Sequence, residues 1–197
     1  MAEVMDLECP GCGRPVTLGQ KECSCGRPLV ISSMSSLRGL PAMGVNKYSR
    51  FFQDALTRQP GSPELSNSLA VCYLQLKLYD KAYEAFDKAI EADIHQSESY
   101  FYAAIALLGG QKAFVTPRAK IDRIEQLLAA GTMIEPRSVY YLLWAYIKYD
   151  YYHRKFFHTD PDYRGMLEMA EECGCTDADR TMLFDLLGVP CPEEMFE

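Results

Sequence analysis

The sequence predicts a mainly α-helical chain of antiparallel helical hairpins, preceded by a small β-hairpin held by four cysteines. Three observations carry this. Apolar residues recur at three- and four-residue spacing through Ser62–Ile94, as Leu65, Leu69, Cys72, Tyr73 and Leu76 and then as Ala82, Phe86, Ala89 and Ile90. That periodicity gives each of two successive helices one apolar stripe. A related pattern, Tyr100, Ala103, Ala104 and Leu107, returns thirty-four residues later, and self-similarity at such an interval marks a repeated helical hairpin. Ahead of all helical periodicity stand two close cysteine pairs, Cys9 with Cys12 and Cys23 with Cys25.

The first element is the cysteine module, residues 1–31. Cys9-Pro10-Gly11-Cys12-Gly13 and Cys23-Ser24-Cys25-Gly26 stand ten residues apart, which suits two thiolate-bearing turns folded over one tetrahedral ion. Zinc takes four soft ligands at about 2.3 Å, and a Gly beside the second Cys of each pair frees the backbone to turn its amides towards the sulfurs. The pattern resembles a short zinc ribbon, with one residue between Cys23 and Cys25 where most ribbons have two. Four thiolates leave no open position, so Cys9, Cys12, Cys23 and Cys25 are expected to hold a structural zinc ion. A redox pair at Cys9 and Cys12 would require a surrounding βαβ pattern, and an iron–sulfur centre is the other occupant such a set admits. Arg27–Ile31 is expected to form a closing strand. A module this small buries too little apolar surface to fold without its ion.

Residues 32–45, rich in Ser, Gly and Pro without sustained periodicity, are expected to act as a flexible linker. A helical domain, 46–197, follows. Asn46 is expected to cap a first helix over Lys47–Arg58, with Tyr48, Phe51, Phe52, Ala55 and Leu56 on one apolar face. Pro60-Gly61 stops it, and Ser62-Pro63 supplies a cap followed by Pro at the first helical position.

The hairpin that follows resembles a tetratricopeptide repeat. The resemblance is carried by Leu69-Ala70-x-x-Tyr73 and Tyr79-x-x-Ala82-x-x-x-Phe86-x-x-Ala89 and covers one repeat. Ala70 and Ala82 are small where helices must cross closely; Tyr73, Tyr79 and Phe86 fill the remaining gap. The family usually has Gly before the second helix and Pro at the end of the repeat, where this chain has Lys77 and Ile94. The resemblance implies a solenoid whose concave face lies on the first helix of each pair. Asn67, Val71, Leu74 and Gln75, with Phe101, Tyr102 and Ile105, are then the expected partner contacts. The Lys-and-Asn clamp for a C-terminal carboxylate found in some members is missing, since Asn67 is followed at the next turn by Val71.

A second pair begins with Ser99–Leu108. Gly109–Val115 enlarges the connection, Thr116-Pro117 is expected to cap the partner helix Arg118–Ala130, and Gly131 to end it. Glu135-Pro136 opens a long helix, Arg137–Phe157, in which Tyr141, Trp144 and Ala145 repeat the earlier positions once the enlarged loop is allowed for. Tyr140–Tyr146 is apolar on every side and should be sandwiched by neighbours. The aromatics from Tyr149 to Phe157, beside Arg154 and Lys155, read either as a stacking platform or peptide groove or as aromatics capping the core. His153 and His158 lack a ligand partner at metal spacing and carry no assigned chemistry. Asp160-Pro161 begins a helix to about Cys173, ended by Gly174, and Thr176 caps a last one, Asp177–Leu187, ended by Gly188. These capping helices would close the repeat with Leu183, Phe184, Leu186 and Leu187. Cys72 reads as a small core residue, and Cys173, Cys175 and Cys191 as free or buried thiols.

The formal charge is −7. Residues 162–197 hold ten acids against Arg164 and Arg180, which disfavours unaided binding to phosphate backbones. The longest apolar run, Val139–Ile147, is too short for a membrane span. The acidic start lacks an apolar signal core, so a cytoplasmic location with reduced thiols is expected. The expected function is a non-catalytic adaptor that binds a protein or peptide, the zinc module serving as a second contact. The alternative is a nucleic-acid-associated factor using Arg14, Lys21 and Arg27 around the knuckles, offset by Glu8 and Glu22. No nucleophile elbow, phosphate-cradling loop or helical His pair points to catalysis.

Overall fold

The computed structural model describes residues 7–197; Met1–Asp6, part of the start read above as acidic and free of a signal core, lies outside the described residues. The described chain is mainly α, with eight α-helices and one two-stranded antiparallel hairpin. It divides into two compact units, the first running to Ile94 and the second from His95 to Glu197.

In the first unit, β1 (Leu7–Glu8) pairs with β2 (Pro15–Val16), Leu7 opposite Val16. Both of these side chains are buried. The closing strand expected at Arg27–Ile31 reduces to a single bridge between Glu22 and Pro28, with the Leu29 amide donating to the Lys21 carbonyl at 2.8 Å. Pairing stops there because the next residue with a partner, Ile31, bonds to the helical body. Its N–H donates to Ser68 Oγ at 2.8 Å, and its carbonyl accepts from Asn67 Nδ2 at 3.2 Å.

Within the stretch expected to be a linker, Met34–Leu37 forms a 3-10 turn whose Leu37 is fully buried, and α1 (Ala42–Arg58) begins at Pro41 rather than at Asn46. The backbone amides of Gly44 and Val45 donate to the Pro41 carbonyl, so the helix start comes from the fixed φ of Pro and not from an Asn cap. Val45, Tyr48, Phe51, Phe52 and Ala55 are buried on one face.

α2 (Pro63–Gln75) opens as the sequence predicts: Ser62 Oγ accepts from the Leu65 amide and Pro63 takes the first helical position. It packs on α3 (Tyr79–Ala92), with Ala70, Ala82, Phe86 and Ala89 wholly buried. The turn between them is a Schellman motif: Lys77 N donates to Leu74 O and Leu78 N to Tyr73 O, both at 2.9 Å. Lys77 occupies its left-handed position at φ 58°, where Gly is favoured.

In the second unit, α4 (Ser97–Leu108) packs on α5 (Arg118–Ile134). Gly131 does not end α5. It is buried within the helix, and a Cβ there would stand 3.4 Å from Tyr100 Cβ and 3.5 Å from the Ser97 carbonyl. Its missing side chain lets two backbones approach, a role that sequence alone does not distinguish from a terminator. Thr116 is likewise not the cap; its hydroxyl donates back to the Lys112 carbonyl at 3.1 Å, and Pro117 precedes the helix without a side-chain cap.

The helix expected over Arg137–Phe157 changes form twice. α6 (Ser138–Ile147) gives way to a π-helical turn, Lys148–Tyr152, and a 3-10 turn, His153–Lys155. Buried polar side chains account for the interruption. Asp150, 2% exposed, accepts from the Phe114 amide at 2.7 Å and from Arg154 Nη1 at 2.5 Å. Trp144 Nε1 and Tyr152 OH both donate to Glu125 of α5, and Lys148 Nζ lies 3.6 Å from the same carboxylate. Widened turns of this kind re-aim side chains within a helix, and here they serve one carboxylate across the helix and another against a loop. The expected sandwiching of Tyr140–Tyr146 is met for Tyr140, Leu142, Leu143, Ala145 and Tyr146, which are buried.

Asp162 caps α7 (Tyr163–Glu172), accepting from the Arg164 and Gly165 amides. α8 (Asp177–Leu187) starts with a full capping box between Thr176 and Asp179 and ends at Gly188, as its sequence predicts. Phe184 meets Tyr146 edge-on at 5.4 Å.

Replacing Lys77 by Gly should raise unfolding stability by about 0.5–1 kcal/mol, because relief of the left-handed strain outweighs the added freedom of the unfolded chain. Urea denaturation measures this, and an unchanged or lower midpoint would contradict the strained turn.

Candidate metal centre

Each cysteine pair sits in a tight backbone knuckle. The Cys9 amide donates to Arg14 O and the Cys23 amide to Arg27 O, both at 2.8 Å, while Gly13 N and Gly26 N close back onto Cys9 O and Cys23 O. Gly13 and Gly26 have φ of 72° and 76°, so a side chain at either would strain the knuckle. The single residue between Cys23 and Cys25 suffices. Cys23 is buried, Cys25 lies nearer the surface, and both join the cluster.

The four Sγ atoms lie within 4.8 Å of one another. Cys9 to Cys25 is 3.8 Å and Cys12 to Cys23 is 3.7 Å. A tetrahedron of sulfurs around an ion at about 2.3 Å has edges of about 3.8 Å, so the spacing fits a thiolate-bound divalent ion. The Gly11 amide points at Cys9 Sγ from 3.4 Å, a hydrogen bond that stabilises charge on sulfur. The backbone N–H of Cys25 lowers the pKa of Cys23 to about 6, whereas desolvation raises that of Cys25.

The helical body contributes one further group. Tyr48 of α1 is 2% exposed and its hydroxyl has no hydrogen-bond partner among the described residues. Burial pushes its pKa up to about 12, and the charges acting on it include Arg27, Cys9 and Cys25. On sequence alone Tyr48 reads only as one apolar-face residue of α1.

The residues expected to meet a partner are placed differently. Asn67, Val71, Leu74, Phe101, Tyr102 and Ile105 are all buried, and only Gln75 is exposed. Asn67 is engaged by Ile31. Cys72 is a wholly buried core thiol whose pKa burial raises to about 12. Among the described residues no metal-binding group includes Cys173, Cys175 or Cys191.

A polar cavity of about 430 Å³ opens beside the start of α7. It gathers His153, His158, Lys148 and Arg164 with Asp160 and Glu168, whereas in sequence the histidines lack a ligand partner at metal spacing. His153 is packed between the Tyr149 and Tyr163 rings at 5.7 and 4.9 Å. No helix of the described residues is long and apolar enough to cross a membrane. No family model matches the sequence.

Two measurements follow from this geometry. Protein purified without chelator should carry a single thiolate-bound zinc ion by elemental analysis, and Cys9→Ser should lower occupancy at least about tenfold; full occupancy in that variant would remove Cys9 from the ligand set. Asp150→Ala should cost about 1–2 kcal/mol in urea denaturation, for the part-buried Phe114 amide loses its acceptor while the half-exposed Arg154 is re-solvated.

Proposed function

We propose that the protein is a non-catalytic adaptor whose tetratricopeptide-like helical hairpins present a surface to a protein or peptide, with a structural zinc ion in the Cys9, Cys12, Cys23 and Cys25 module. The observation that carries this reading is the closed sulfur set: four thiolates at tetrahedral spacing complete the coordination of zinc and leave no position for water or substrate. Such an ion acts through folding, and the Ile31 hydrogen bonds to Asn67 and Ser68 pass that order to α2.

Support for the hairpin reading comes from the α2–α3 pair, where Ala70, Ala82 and Phe86 fill the crossing as the repeat pattern implies. With six of the seven groove residues buried, the contact surface in this reading is drawn from exposed side chains outside that set, with Gln75 the one member on the surface. Arg14, Lys21 and Arg27 are exposed around the knuckles, but Arg14 already donates to Ser24 Oγ.

Affinity capture with the wild type beside a Cys9→Ser, Cys12→Ser variant tests the proposal. Proteins retained by both belong to the helices, and proteins lost only in the variant depend on the zinc module. Recovery of nuclease-sensitive complexes alone would replace the adaptor reading with the nucleic-acid one.

A further inference from the structure

Resting on the adaptor reading, we propose that the turn Ala113–Val115 and the residues ending the π-helical segment form a docking surface for an acidic peptide that carries a bulky apolar side chain, with Phe156 as the anchor.

Phe156 is 91% exposed, and its φ is 62°. Its amide donates to His153 O and that of Phe157 to Tyr152 O, both at 2.9 Å, so it fills the left-handed position of a Schellman motif. After α7 the same chain puts Gly174 in that place, with the same pair of hydrogen bonds. A phenyl ring at this position is unfavourable twice: the backbone is strained, and the ring lies in water without packing. Folding explains neither, and strain retained against packing points to a use at the surface.

The surroundings define what that use is. Phe114 and Val115 in the turn, and Phe157 next to Phe156 in the chain, are 38%, 64% and 55% exposed. Lys155 Nζ stands 3.5 Å from the Tyr151 ring centroid and 4.9 Å from that of Phe114, and Arg154 lies 4.9 Å over Phe114. Cation–π contact thus holds these side chains beside the apolar patch. Asp150 and Asp122 are already paired with Arg154 and Arg118, whereas Lys112 and Lys155 have no carboxylate partner among the described residues. In a chain of net charge −7 this is a local cationic surface, complementary to a short acidic ligand.

The charge pattern also selects between ligand classes. Asp160, Asp162 and Glu168 alternate with Lys148, Arg164 and two histidines around the cavity that Phe157 borders, so the mixed charge there offers no continuous cationic track for a phosphate backbone. A peptide with a few carboxylates around one apolar residue engages the cations without reaching those acids.

The test is selection of a phage-displayed random dodecapeptide library on the zinc-loaded full chain, followed by anisotropy titration of the enriched peptides. Acid-rich sequences with Phe, Trp or Leu are expected. Phe156→Gly should weaken their binding at least about tenfold while raising the thermal midpoint by about 2–4 °C, and Lys155→Glu should weaken binding similarly. A loss of binding with a gain in stability cannot come from misfolding. Peptides that lack acidic bias, or bind Phe156→Gly undiminished, overturn this surface while leaving the adaptor reading standing. Failure to enrich any peptide also overturns it, and the capture experiment then judges the adaptor separately. Labelled dodeca-uridine bound at low salt and lost in Phe156→Gly would overturn the peptide in favour of RNA.

Discussion

Four sulfurs within 4.8 Å of one another cannot all ionise unless a cation sits among them. That constraint governs the first unit. Without the ion, the knuckles lose the interaction that closes them. Beyond the second knuckle Leu29 and Ile31 are buried, and the Ile31 backbone is bonded to Asn67 and Ser68. Ser68 is wholly buried and also donates to Glu64 O at 2.6 Å, so its hydroxyl serves two backbone groups at once. An unbonded Ile31 amide there would carry the full penalty of a buried donor. The cysteine module and α2 are therefore joined through one backbone residue.

The second unit depends on carboxylates instead. Glu125 gathers Trp144, Lys148 and Tyr152, and Asp150 fixes the Phe114 amide and Arg154. Asp150 is buried and Glu125 partly so, and a buried acid is costly if left unpaired. Each is satisfied by residues on successive turns of a helix that departs from α geometry, so the π-helical turn and the buried charges belong to one arrangement. A third set, Arg137 with Glu98 and Glu135, ties the start of α6 to the start of α4. Arg137 and the Ser97 hydroxyl hold the Glu135 carboxyl below the usual range.

What the sequence makes legible is whatever a local rule controls. The capping box at Thr176, the Ser62-Pro63 start, the apolar stripes of α2 and α3 and the thiolate set all follow from spacing over a few residues, and the structure contains each of them. Partnerships over long separation were not legible. Asn67 reads in sequence as a groove residue, and only the fold brings the Ile31 carbonyl, thirty-six positions away, onto its side chain. The stretch 32–45 looked like a tether because Leu37 is buried by tertiary packing and not by its own periodicity. Asp150 is an ordinary acid in sequence, and only the loop folded back on it turns it into a helix-distorting residue.

Gly131 shows the same limit from the other side. Glycine at the end of an apolar pattern satisfies both a C-terminal cap and a close helix crossing, and the two differ only in the sign of φ and in what lies across the gap. Lys77 and Phe156 complete the argument. Both take the left-handed position of a Schellman turn, which Gly174 fills in the ordinary way. The Lys77 site carries its backbone strain at modest cost, because a long charged side chain is well solvated wherever the backbone points it. Phe156 has no such compensation, since water is the poorest environment for its ring. Two residues in one backbone conformation thus carry different meanings: the first is a tolerated substitution in a turn, and the second is an exposed ring held at a cationic edge.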